Sequence, residues 1–233
     1  GTHHHHNNNN NNIVVACPVL GCRPDTITYT GVINCWSKSQ RPEAPSRALA
    51  ILHIMISKAK ENGEDSTVQP NTITYNSVMD AHAKQGDVEG ALQVFNLMKK
   101  KNGSSSSFTT CTPDVTTYTI LIDAYAKKAN KNCHTNKKKN QEDDSMNAPL
   151  EAEALLMEMI ELYEHGMLQD GPNTITYATV INCWSKSKRP EAPQRARDIL
   201  QTMRGTYKKQ QQNQNDAINT NHEEQQHKKG RRK

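Results

Sequence analysis

The stretch TITYTGVINCWSKSQRPEAPSRALAIL occupies residues 26–52, and TITYATVINCWSKSKRPEAPQRARDIL occupies residues 174–200. The copies start 148 residues apart and agree at most positions. Self-similarity of this kind within one chain is the signature of a repeat architecture. The phrase also recurs, more loosely, between them. A tyrosine preceded by Thr-x-Thr or Thr-Thr stands at Tyr29, Tyr75, Tyr118 and Tyr177, so the chain carries four copies.

After each tyrosine, apolar or ring residues follow at i+3, i+4 and i+7. They are Val32, Ile33 and Trp36, then Val78, Met79 and His82, then Leu121, Ile122 and Tyr125, and last Val180, Ile181 and Trp184. That spacing is one stripe of an amphipathic helix. A second stripe follows in every copy, an alanine with apolar residues at i+3, i+4 and a methionine at i+7. Its members run from Ala48 to Met55, Ala91 to Met98, Ala152 to Met159 and Ala196 to Met203. Pro45, Pro149 and Pro193 stand three residues before the alanine, where the first turn of a helix tolerates proline. Gly86 supplies the turn in the second copy. Each unit is predicted to be a helix hairpin.

A hairpin with one apolar stripe per helix cannot bury both faces alone, whereas stacked neighbours can, so the expected fold is an all-α solenoid with a concave face. Units open after Pro24-Asp25, Pro70-Asn71, Pro113-Asp114 and Pro172-Asn173. The proline stops one helix, and Asp, Asn or the next Thr can cap the following one. The array spans 24–205, with repeats at 26–71, 72–114, 115–173 and 174–205. Trp36 and Trp184 are expected to be buried between hairpins, and Cys35 and Cys183 to be small buried thiols beside them.

These features resemble the pentatricopeptide repeat family, whose unit is nominally 35 residues. The segment TITYNSVMDAHAKQGDVEGALQVFNLMKKKNG, closed by TPD, resembles that pattern almost throughout, and all four units match both helices. Here the first three units run 46, 43 and 59 residues, longer by 11, 8 and 24. Every insertion falls in a loop and spares the apolar stripes. Loops bear this well, since doubling one costs only about 0.6 kcal/mol.

The resemblance implies a right-handed superhelix of antiparallel helix pairs that binds single-stranded RNA, one base per unit. Base reading would then fall to Thr30, Asn76, Thr119 and Ala178, which follow the tyrosines, and to the closing residues Asn71, Asp114 and Asn173. The alternative for the Asp and Asn residues is plain helix capping. Two residues before each tyrosine stand Ile27, Ile73, Thr116 and Ile175, placed to wedge against base faces. Lys38, Lys84, Lys127 and Lys186 stand nine residues after it, at one per unit. They suit either a phosphate or the negative end of a helix. Under the family's pairing, Thr with Asn implies adenine and Asn with Asp implies uracil, so the expected core is A-U-A. The resemblance also implies organellar RNA processing, stability, editing or translation, in a mitochondrion or plastid, with other RNA-processing proteins as further partners.

Outside the units the chain is poor in apolar residues. The segment 1–23 contains HHHHNNNNNN, residues 130–147 read NKNCHTNKKKNQEDDSMN, and 206–233 form a Gln- and Lys-rich tail. Such tracts cannot offset chain entropy by burial and are expected to be disordered. The tail holds seven basic and three acidic residues, so of the net +5 the other 205 residues carry only +1. The array is therefore no general polyanion binder. Six cysteines occur without a C-x-x-C pair or structural-zinc spacing, and no metal or cofactor is expected. No apolar run reaches the length of a membrane span. There is no deaminase signature, phosphate loop or paired-aspartate cluster, since Asp80 and Asp123 simply recur one per unit. A protein-binding scaffold of tetratricopeptide type is the alternative. Ala91 and Phe95 fit it, but no first helix carries its W-x-x-L-G-x-x-Y pattern.

Overall fold

The computed structural model describes residues 23–62, 67–101, 111–133 and 147–230. Eight helices and no strand occur among them. The hairpins are α1 (Thr26–Ser39) with α2 (Ala44–Asn62), α3 (Thr72–Lys84) with α4 (Val88–Lys101), α5 (Val115–Cys133) with α6 (Ala148–Glu164), and α7 (Thr174–Lys186) with α8 (Ala192–Gly230). The odd-numbered helices pack side by side, α1 on α3, α3 on α5 and α5 on α7, while α2, α4 and α6 each lie against their own partner and the next odd helix, and α8 lies against α7. Two layers result, each hairpin stacked on its predecessor. This is the helical-repeat solenoid expected from the stripes.

The Pro-Asp and Pro-Asn boundaries work as caps. Asp25, Asn71, Asp114 and Asn173 each accept the backbone N–H three residues on, at 2.8, 2.9, 2.8 and 3.1 Å. At Asn71 the Thr74 side chain returns the bond, closing a capping box. Gly86 takes φ 61°, a left-handed turn that glycine adopts at no steric cost. Successive openings are also laced together: Thr26 N–H donates to Thr67 O at 3.0 Å and Thr72 Oγ1 to Thr112 O at 3.3 Å.

Packing follows the stripes. Ile33, Leu52, Met55, Val78, Met79, Val94, Met98, Leu121 and Met159 lose all solvent exposure in one core cluster. Ile122, Leu156, Val180, Cys183 and Trp184 lie in a second. Each fully buried large aliphatic side chain stabilises by about 1.5–3 kcal/mol. Ala48, Ala91 and Ala152 are completely buried, the small residues at which two helices close on one another.

Three expectations change. Trp184 is buried but Trp36 is only partly so, and Cys183 is buried whereas Cys35 is exposed. The cause is position: Trp184 and Cys183 have the third hairpin beneath them, and among the described residues nothing lies beneath the first. The tail also differs, since α8 continues to Gly230. Extending an existing helix costs far less than nucleating one, and the Gln, Lys and Glu residues there are good helix formers. Of the internal insert, residues 134–146 lie outside the described residues, as do 1–22, while 130–133 complete α5.

Candidate nucleic-acid interface

The residues after the tyrosines and the closing residues come together in three polar groups, each spanning a junction between hairpins. At the middle junction, Asn76 Nδ2 donates to Asp114 Oδ1 at 3.1 Å. The Thr117 hydroxyl lies 2.7 Å from both Asn76 Oδ1 and Asp114 Oδ1, and accepts from Asp114 N–H at 3.0 Å. Its single proton serves one oxygen at a time. At the first junction Thr30 Oγ1 pairs with Thr74 Oγ1 at 2.8 Å, and Thr74 donates to Asn71 Oδ1 at 3.0 Å. At the third, Thr119 Oγ1 donates to Val115 O at 2.7 Å and meets Thr176 Oγ1 at 2.9 Å, which reaches Asn173 Oδ1 at 3.2 Å. The fourth unit supplies only Ala178, which is exposed.

Thr74, Thr117 and Thr176 are completely buried and link each pair, a role that sequence reasoning did not assign. The signal was present: a threonine precedes every one of the four tyrosines. The tyrosines themselves serve the core. Burial pushes the Tyr75 phenol up to about 12 and raises those of Tyr118 and Tyr177.

Beside the polar groups, Ile27, Ile73 and Ile175 stand 80%, 63% and 67% exposed on the first turns of their helices, with Thr116 exposed at the same place in α5. These large apolar side chains thus stand in water at the same register place of three helices. The lysine column is not uniform. Lys84 Nζ lies 2.6 Å from Asp80 Oδ2 and 3.1 Å from Ser37 Oγ, and Ser37 itself donates to Asp80. Lys127 pairs with Asp123 at 2.5 Å. Lys38 and Lys186 have Asn34 and Asn182 four residues earlier in place of the carboxylate, and Lys38 is exposed.

The PPR repeat family matches residues 70–127, the second unit and the opening of the third. Over those residues the chain carries the pentatricopeptide repeat. Among solved structures it resembles the crystal structure of the pentatricopeptide repeat protein PPR10 from maize, at 23% identity and a TM-score of 0.50, over 79% of this chain. The likeness is one of fold, and this chain spans a fifth of that chain's length. No curated protein matches the sequence. Among the described residues, no group of His, Cys, Asp and Glu could hold a metal ion. No described helix is long and apolar enough to cross a membrane.

Proposed function

We propose that the array binds single-stranded RNA along the face formed by the odd-numbered helices, one base at each junction. Thr30 with Asn71, Asn76 with Asp114, and Thr119 with Asn173 meet base edges, and Ala178 offers only a methyl. Ile27, Ile73, Thr116 and Ile175 pack on base faces, and Lys38, Lys84, Lys127 and Lys186 answer phosphates. The observation that carries this reading is the middle junction. There an amide and a carboxylate from successive hairpins are locked together at 3.1 Å beside an isoleucine left 63% exposed. A cap alone requires Asp114 and not Asn76. Good base-edge pairs discriminate by about 1–3 kcal/mol, and stacking adds about 1–3 kcal/mol per base without choosing among them.

In this proposal the preferred core is A-U-A and the setting is organellar RNA metabolism, with other RNA-processing proteins as partners. The test is selection from a random single-stranded RNA pool, followed by Asn76→Thr combined with Asp114→Asn. The middle preference is expected to move from uracil to adenine. A wild type without any preference at that position, or a double variant that keeps it, overturns the assignment.

A further inference from the structure

The first and last hairpins share a sequence but not their surroundings. In the last, α7 packs on α5 and α6, and Val180, Cys183 and Trp184 are completely buried. Trp184 Nε1 donates to Glu153 Oε2 at 3.0 Å, and Arg195 donates to Glu153 Oε1 at 3.4 Å. The Arg195 guanidinium lies 5.9 Å from the indole centroid. One glutamate of α6 thus holds the indole N–H and the guanidinium of the hairpin above it.

Val32, Cys35, Trp36 and Arg47 occupy the same places in the first hairpin. Arg47 already stands over the Trp36 ring, 6.0 Å from its centroid. The face is arranged as in its duplicate, yet Val32 is 45% exposed, Cys35 is exposed and Trp36 is partly so.

We propose that this face is the docking surface for a further helical hairpin, one that presents a glutamate where α6 presents Glu153. The duplicate shows what covers it, and charge narrows the choice. Glu153 follows the buried Ala152, and the same place is held by Leu49 in α2, Leu92 in α4 and Arg197 in α8. In the next hairpins His82 and Tyr125 take the tryptophan's place above Leu49 and Leu92, so within this chain the Trp-and-Arg pair goes with the acid and not with leucine. A second copy stacked through its last hairpin would bring Arg197 to Arg47, a repulsive match. This inference rests on hairpin packing and stands whether or not RNA is bound.

The chain has two tryptophans, so Trp184→Phe leaves Trp36 as the only fluorophore. In that background a duplicate of residues 111–171 is placed directly ahead of Pro24, recreating the junction between the third and fourth hairpins. Trp36 emission is expected to shift to the blue and its quenching by acrylamide to be lost. Both effects should reverse with Glu153→Leu in the added hairpin, or with Arg47→Ala in the first. An indole as open to quencher as in the unextended chain overturns the proposal, and so does protection that survives Glu153→Leu. In the unextended chain, protection of Trp36 that grows with protein concentration, or that disappears on deleting residues 1–22, also overturns it, because a second copy or the chain's own leading segment is then the occupant. Circular dichroism checks that each variant keeps its helix content; where Trp184→Phe weakens the fold, Trp184 is retained and the Trp36 signal is read as the difference that Arg47→Ala makes in the extended chain.

Discussion

Asn76 makes its two amide ends unequal. Its nitrogen is bound to Asp114 and its oxygen accepts from Thr117, so the amide cannot flip freely; in the proposed RNA-binding role this fixes which end is donor and which acceptor. Thr117→Val removes the hydroxyl from a completely buried site. It should lower stability by about 1–3 kcal/mol, measured by urea denaturation, and blur the choice of the middle base while general RNA affinity persists. Thr117→Ser should restore that choice, and a valine variant that discriminates as well as wild type would leave the hydroxyl a packing group. A second contrast needs no RNA. Burial pushes the Cys183 thiol up to about 12, and the thiolate is the reactive form. At neutral pH iodoacetamide should label exposed Cys35 and spare Cys183 until denaturant is added, as read by peptide mass mapping. The columns of residues proposed to read bases were legible in the sequence because they recur at fixed places. The buried threonines were written there as plainly, but their role depends on hydrogen bonds across a junction, which one helix's periodicity cannot show.

Among helices, sequence and structure agree where an apolar stripe has neighbours on both sides and part company where one neighbour is missing. Val78, Leu121 and Val180 are completely buried, and Val32, at the same register place, is 45% exposed. A stripe marks the face a helix can bury; only the stack determines whether it is buried. The two tryptophans turn this into a measurement. Trp184→Ala should cost roughly 3–5 kcal/mol, as a large core-to-cavity change does, and it also strips Glu153 of the indole N–H. Trp36→Ala should cost about 1–2 kcal/mol, because a partly exposed side chain has less apolar area to lose. Equal costs by thermal melting would mean that the first hairpin is covered as deeply as the last. The helical tail escaped composition for a related reason: polarity argues against a buried core, not against a helix that continues from one already packed.

For the whole array, charge placement matters more than net charge. Lys84 and Lys127 each have a carboxylate one turn away, whereas Lys38 and Lys186 do not. A lysine already paired releases fewer counterions when a phosphate arrives. Lys38→Ala and Lys186→Ala should each lower the magnitude of the salt slope for RNA binding by about 0.7, and Lys84→Ala and Lys127→Ala by less. Asp80→Asn should raise it by freeing Lys84. Four equal slopes in titrations against salt would show that the ion pairs do not restrain the column. Alkaline stability has a fixed sign as well. Tyr75, Tyr118, Tyr177 and Cys183 hold their protons more tightly folded than unfolded. Their contribution is therefore complete below the ordinary thiol value of 9.0 and is lost as pH rises towards 12. Denaturation midpoints should be flat on this account up to about pH 9 and fall beyond it.

The hydrogen bonds between Thr30 and Thr74, between Thr117 and Asn76, and between Thr119 and Thr176 all cross from one hairpin to the next. Each polar group is therefore shared property, half encoded upstream of a boundary and half downstream. Anyone splicing such arrays at the hairpin ends would cut every such group in two and rejoin it to a stranger. Cuts within the turns that join a unit's own two helices would split them as well, since Thr30 lies before such a turn and Asn71 and Thr74 after it; only Tyr75 and Tyr118 stand between one group and the next, so the interchangeable cassette of this protein runs from tyrosine to tyrosine.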